Sequence, residues 1–198
     1  SSDLLAVGAL TAAPLPALFV LPVIAVAGLT LLVYGHGASR SAAIGYGFGL
    51  GWFAGWLTWL DVVGVDAMVG LVLVLALFSA VIGAGLAWTL PLRGGVLLAP
   101  AVWIAVETLR SAFPFGGFPW ARLASGVEPT TPFDGALMLG GLPLMGYLIA
   151  LAGTALAVAV RWVTRDGLRI PDRPAVIGIA AACGVVVLVL TVPPITIN

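Results

Sequence analysis

From Ala67 to Leu90 the chain runs without a single charged side chain, and similar uncharged runs recur along its length. A bilayer core about 30 Å thick needs about 20 consecutive apolar residues to cross it as a helix, and inside it every backbone N–H and C=O must find a partner within the protein. An isolated apolar run of that length meets the demand as an α-helix. Composition points the same way: hydrophobic residues make up 62% of the 198 residues and charged residues 8%, against roughly 45–50% and 25% in soluble domains. The expected fold is an all-α integral membrane protein, a polytopic bundle of about six full spans plus a partial N-terminal helix.

The spans are expected at 15–34, 42–60, 67–90, 96–113, 135–163 and 175–192, all within one transmembrane domain over residues 1–198. Ahead of them, Leu4 to Ala13 is apolar but only about half of a span before Pro14 and Pro16 interrupt it, and no charged segment precedes it to make a signal peptide. Net charge is zero and no basic patch exists, so nucleic acid is not an expected partner. The single cysteine, Cys183, lies in an apolar run, which excludes an internal disulfide or a cysteine metal cluster and reads as a buried thiol. No metal and no cofactor is expected. All basic residues are arginine; the chain has no lysine, and its one histidine, His36, reads as a turn residue.

The second expected span carries two patterns at helical spacing. Gly47, Gly51 and Gly55 recur every fourth residue and predict a face on which a neighbouring helix packs closely. Trp52, Trp56 and Trp59 form a second stripe, which reads either as an interfacial aromatic belt or as a wall for lipid.

The candidate site is the stretch Glu107 to Trp120, ETLRSAFPFGGFPW. It closes an apolar helix with an acid and a base three residues apart, Glu107 and Arg110, and then breaks. Pro114 and Pro119 remove backbone donors, Gly116 and Gly117 permit positive φ, and Phe113, Phe115, Phe118 and Trp120 supply aromatic surface. Such a segment is too apolar for a solvated loop, so it should lie at a membrane interface. Glu107 and Arg110 are within reach of each other on a helix. They read either as a functional pair, with Arg110 receiving a lipid phosphate while Glu107 orients it, or as a structural pair that pins the helix end. Phe115, Phe118 and Trp120 either line an acyl-chain passage or anchor the break at headgroup level.

Loop charges orient the spans. Counting connections alternately, one side receives Arg40, Arg93 and the run Arg161, Arg165, Arg169 and Arg173; the other receives Arg110 and Arg122 with Asp61, Asp66, Glu128 and Asp134. Cytoplasmic loops carry the arginine excess, so the Glu107–Trp120 stretch and the C-terminal end are expected on the outer side of a bacterial cytoplasmic membrane. The arginine run also reads as a contact for anionic lipid.

Glu107, Leu109 and Arg110, followed by Gly117, Phe118, Pro119 and Trp120, resemble the pattern in the membrane domain of bacterial apolipoprotein N-acyltransferases. The segment GYGFGLGWFAGWLTWL, from Gly45 to Leu60, is similar to that family's glycine-rich helix, and the order and separation match over nearly the whole chain. The resemblance implies transfer of an acyl chain from a phospholipid to the α-amino group of a lipoprotein's diacylglyceryl cysteine, through a thioester. Its partners would be the phospholipid donor and the lipoprotein, and Glu107, Arg110, Gly117, Phe118, Pro119, Trp120, Trp52 and Trp59 become the expected lipid-binding residues. In the family the catalytic acid, lysine and cysteine lie in a nitrilase-like domain outside the membrane. A chain without lysine and with its one cysteine inside a span cannot assemble them, so no catalytic residue is expected in these 198 residues, which read as a membrane-domain fragment or a truncation. The arginine-only, FGGFPW-containing sequence looks most like actinobacterial members, some associated with a polyprenol-phosphate mannose synthase. This leaves a non-catalytic anchor for such a synthase as the alternative. A small transporter is disfavoured because no span carries a midplane charge or paired helix breaks.

Overall fold

The computed structural model describes residues 16–114, 116–126 and 134–165. Their secondary structure is entirely helical: α1 (Pro16–Val33), α2 (Ala38–Trp56), a 3-10 turn (Thr58–Val62), α3 (Val65–Thr89), α4 (Gly95–Ala112), a second 3-10 turn (Leu123–Gly126) and α5 (Asp134–Arg165). Three of these helices contain segments long and apolar enough to cross a bilayer: Val65–Thr89, Gly95–Ala112 and Leu137–Thr164. α1 contributes a shorter apolar stretch, Val20–Val33, and α2 opens with Ser39, Arg40 and Ser41 and is thinned by glycine. The expected partial helix at 4–13 and the expected span at 175–192 lie outside the described residues, as do Arg169, Arg173 and Cys183. α5 is two helical segments joined at Gly141, whose φ of 62° and ψ of −160° precede Pro143.

α2 lies along α3, α1 along α5, and α4 sits between α3 and α5. Their common core joins Val26, Leu29 and Val33 of α1, Ile82 and Leu86 of α3, Trp103 and Val106 of α4, and Met145 and Ile149 of α5. Outward-facing positions are apolar too. Val69, Leu73, Leu77 and Val81 form an exposed stripe on α3 at a spacing of four, as lipid in place of water allows.

The connections alternate between two ends. The turn after α1 (Tyr34 to Gly37) and the turn after α3 (Leu90, Pro91) line one cavity, and the Arg161 guanidinium, near the end of α5, lies 3.8 Å from the centre of the Tyr34 ring. The break after α4 and the 3-10 turn after α2 meet at the other end, where the Trp59 and Trp120 ring centroids are 5.5 Å apart.

The glycine face of α2 differs from the sequence expectation. A Cβ on Gly47, Gly51 or Gly55 would meet nothing within 4 Å, and these residues are exposed. The packing face is instead Ser41, Gly45, Gly49 and Phe53. There a Cβ on Gly45 would overlap the Ser79 carbonyl oxygen, one on Gly49 would sit 2.7 Å from the Ser79 side chain, and one on Gly83 of α3 would overlap the Ser41 carbonyl. Glycine at every second position from 45 to 51 creates two interleaved stripes of period four. Gly83 and Ser79 on α3, which accept the close approach, select between them. Gly45→Val is therefore expected to lower the thermal midpoint in detergent, at a cost of about 1–3 kcal/mol or more from overpacking, whereas Gly51→Val leaves it unchanged; equal effects of the two would contradict this packing face.

Candidate functional site

α4 stops at Ala112, and Phe113 takes an extended conformation. The chain then turns back, with the Gly117 N–H donating to the Pro114 carbonyl and the Phe118 N–H donating to the Arg110 carbonyl, both at 2.8 Å. Gly117 is required twice over: its φ is +83°, and a Cβ there would overlap the Ser111 carbonyl. Residues 118–123 thus run beside the last turn of α4 with their backbone polar groups turned toward it.

Two side chains of α4 satisfy those groups. The Arg110 guanidinium donates through Nη1 to the Phe118 carbonyl at 3.0 Å and the Trp120 carbonyl at 2.6 Å, and through Nη2 to the Ala121 carbonyl at 3.4 Å. It also lies 5.1 Å from the centre of the Phe53 ring, a cation–π contact from α2. Glu107 complements it, its Oε1 accepting from the Leu123 N–H at 2.9 Å. The cation takes the loop's carbonyls and the anion takes an amide. Both residues are buried, Arg110 at 2% exposure and Glu107 at 8%.

The i, i+3 spacing predicts a direct Glu107–Arg110 pair, and the structure differs. Each binds backbone of the returning loop rather than the other, because unpaired backbone dipoles next to a buried helix end are costly and lie closer to hand. Arg110 is therefore engaged with three carbonyls and acts as the loop's clamp, while part of its side chain borders a cavity beside α3.

The tryptophan stripe is also divided. α2 ends at Trp56, so Trp59 belongs to the 3-10 turn. Trp52 turns inward, stacks on Phe48 at 5.9 Å, and donates from its indole Nε1 to the Ala121 carbonyl at 3.3 Å, which makes it a third support for the loop and not a member of a belt. Ala121 is the focus of this bonding; its φ of 56° is unusual for a residue with a Cβ. Trp56 and Trp59 stay near the surface and, with Leu57, Pro119, Trp120, Ala121 and Ser125, wall a cavity of about 370 Å³. A second cavity of about 330 Å³ lies between α3 (Ala67 to Leu75) and Arg110, Phe113, Pro114, Gly117 and Phe118. The expected site residues are thus brought to one end of the bundle: Glu107, Arg110, Gly117 and Trp52 build the loop, and Phe118, Pro119, Trp120 and Trp59 face the cavities it creates, one of which Arg110 and Gly117 also line. Phe115 lies outside the described residues.

Phe53, Ser111 and Arg122 belong to the same site, and sequence reasoning missed them. Ser111 Oγ donates to the Glu107 carbonyl at 2.7 Å and accepts from Arg122 Nε at 3.1 Å and Nη2 at 2.5 Å. The available signal was a serine directly after Arg110 and an arginine two residues beyond Trp120. Among the described residues no group of three His, Cys, Asp or Glu side chains could hold a metal.

Fold and site together define a helical membrane domain in which one helix end is capped by its own returning, aromatic loop. The chain matches the model of the apolipoprotein N-acyltransferase N-terminal domain over residues 6–155 and belongs to that family. It is 36% identical over 135 residues to an apolipoprotein N-acyltransferase of Chromobacterium violaceum, covering 62% of this chain and 26% of that protein. It is 29% identical over 153 residues to one of Vibrio cholerae, covering 68% and 30%, and 31% identical over 151 residues to one of Vibrio vulnificus, covering 67% and 29%. The chain thus spans about a quarter to a third of the length of these curated relatives. Its apolar helices and its family make it a membrane protein.

The clamp sets an expectation for stability. Arg110→Lys keeps the charge but cannot reach three carbonyls from a planar fork. It should lower stability in detergent by about 1.5–3 kcal/mol, the worth of hydrogen bonds to a charged group, and should increase proteolysis within residues 113–123. A variant as stable and as protected as the parent would remove Arg110 from the clamp.

Proposed function

We propose that the chain is the membrane domain of an apolipoprotein N-acyltransferase and that it presents a phospholipid acyl donor and a diacylglyceryl lipoprotein to a catalytic domain outside the bilayer. The observation that carries this reading is the clamped loop with its two flanking cavities, inside the segment that matches the family model. Relatives bearing that name are N-acyltransferases, and an acyl-transferring enzyme whose donor is a lipid needs an apolar place for lipid chains next to the headgroup layer. Cavities of about 330 and 370 Å³ walled by Phe118, Pro119, Trp120 and Trp59 provide that surface. Glu107, Arg110 and Trp52 act by holding the loop in place.

The whole 198-residue chain is read as one membrane domain in the bacterial cytoplasmic membrane. The arginine-bearing end, with Arg40, Arg93 and Arg161, faces the cytoplasm, and the loop end and the chain's C-terminal end face outward. The sharing of one end by the two turns after α1 and α3 and by Arg161 supports this arrangement under the positive-inside rule. No observation favours the alternative of an anchor for a polyprenol-phosphate mannose synthase.

The test is complementation in cells depleted of their own N-acyltransferase, with the lipoprotein N-terminus read by mass spectrometry. The chain joined to a relative's catalytic domain is expected to restore triacylated lipoprotein, and replacing Gly117 by valine is expected to abolish that restoration. A joined protein that inserts normally yet yields only diacylated lipoprotein would overturn the proposal.

A further inference from the structure

Two guanidinium groups stand at the loop end, and they differ in what their donors do. Arg110 is buried and spends its Nη groups on loop carbonyls. Arg122 is only half-buried, and its side chain is held along one edge, where Nε and Nη2 donate to Ser111 Oγ. Ser111 has no capacity left: its single proton goes to the Glu107 carbonyl and both oxygen lone pairs are used. The root of the residue is fixed as well, since the Arg122 N–H donates to Ser125 Oγ at 2.9 Å. A guanidinium carries five N–H donors; the others on Arg122 have no partner among the described residues. The result is a cation already oriented, with one edge of its planar fork unused by the described residues.

The nearest carboxylate on the same helix turn does not take up these donors: Glu107 lies within electrostatic reach of both Arg110 and Arg122, but its Oε1 accepts from the Leu123 amide, and Asp61 and Asp66 stand on the neighbouring connection at the same end. An unpaired cation beside lipid is costly unless it meets an anion. Ala121, which precedes Arg122, and Ser125, whose Oγ accepts from the Arg122 N–H, line the cavity of about 370 Å³ walled by Trp56, Trp59 and Trp120. Of its walls Trp120 is 60% and Trp59 49% exposed, surfaces suited to acyl chains rather than to water. An arginine fork matches a phosphate oxygen pair in geometry and charge.

We propose that Arg122, held by Ser111, binds the phosphodiester group of a membrane phospholipid at the loop end of the bundle, with the lipid's apolar part against the neighbouring tryptophan-walled cavity. The proposal rests on the lipid-presenting reading of the domain and reassigns the phosphate contact from Arg110 to Arg122.

The test uses the full-length protein in detergent and follows quenching of tryptophan fluorescence by brominated phosphatidylglycerol and by brominated diacylglycerol, which has the same chains and no phosphate. The parent protein is expected to prefer the phospholipid, and Arg122→Gln is expected to lose that preference by roughly tenfold, the lower range for a hydrogen bond to a charged group, with diacylglycerol binding unchanged. Ser111→Ala, which leaves the cation but removes its support, should weaken the preference in the same direction and carries the test if Arg122→Gln fails to fold. Undiminished preference in the folded variants would overturn the proposal. So would displacement of the lipid by inorganic phosphate at the same concentration as by unlabelled phospholipid, which would mark a free-anion site. Phosphate preference that depends on Arg122 in a protein without N-acylation in cells would defeat the acyltransferase reading and leave this one standing. Normal N-acylation with an Arg122-independent preference would defeat this one alone.

Discussion

The whole loop end depends on the need to satisfy backbone polar groups where water is scarce. When α4 stops at Ala112, its last carbonyls and the peptide groups of the returning segment face one another in an apolar surrounding. Left alone, each would cost about 1–3 kcal/mol. Arg110 and Glu107 answer from the same helix, the guanidinium taking the carbonyls of Phe118, Trp120 and Ala121 and the carboxylate taking the amide of Leu123. A membrane protein tolerates irregular backbone only where other parts of the protein satisfy it, and here two polar side chains of α4 do so.

Neighbouring elements supply what the clamp lacks. Phe53 of α2 lies beneath the guanidinium, and Trp52 adds a second donor to the Ala121 carbonyl. Both side chains can reach the loop because α2 lies close against α3, and that approach depends on Gly45, Gly49 and Gly83 having no side chain. A packing feature in the middle of the bundle therefore sets the position of the aromatic groups at its end. In turn, the position of the loop determines where Pro119 and Trp120 meet Trp59, and so where the cavities form.

Much of the fold was legible because lipid-exposed helices leave a simple record. The expected spans 67–90, free of charge, and 96–113, apolar up to Glu107, correspond to α3 and α4 within a residue or two, and the break after Arg110 was visible from proline and glycine alone. Side-chain partners were not legible. The spacing of Glu107 and Arg110 correctly places them on one helix turn but says nothing about a segment that folds back from ten residues downstream. Two glycine stripes of identical period coexist in α2, and sequence has no means to choose between them, since the choice lies in Ser79 and Gly83 on another helix. Arg122 looked like one more loop charge until Ser111 was seen to hold it.

The sequence by itself determined that the chain is helical and membrane-embedded, and that one apolar, proline- and glycine-broken stretch carries its charged pair. Those properties follow from composition and local chemistry, which each segment expresses independently of its neighbours. Only the tertiary structure decided which glycines lie in the helix contact, that Trp52 faces inward, and that Arg110 holds the loop's carbonyls while Arg122 is held by Ser111. Each of these depends on what a distant segment places opposite the residue, and a buried charge or a missing Cβ takes its meaning from that partner.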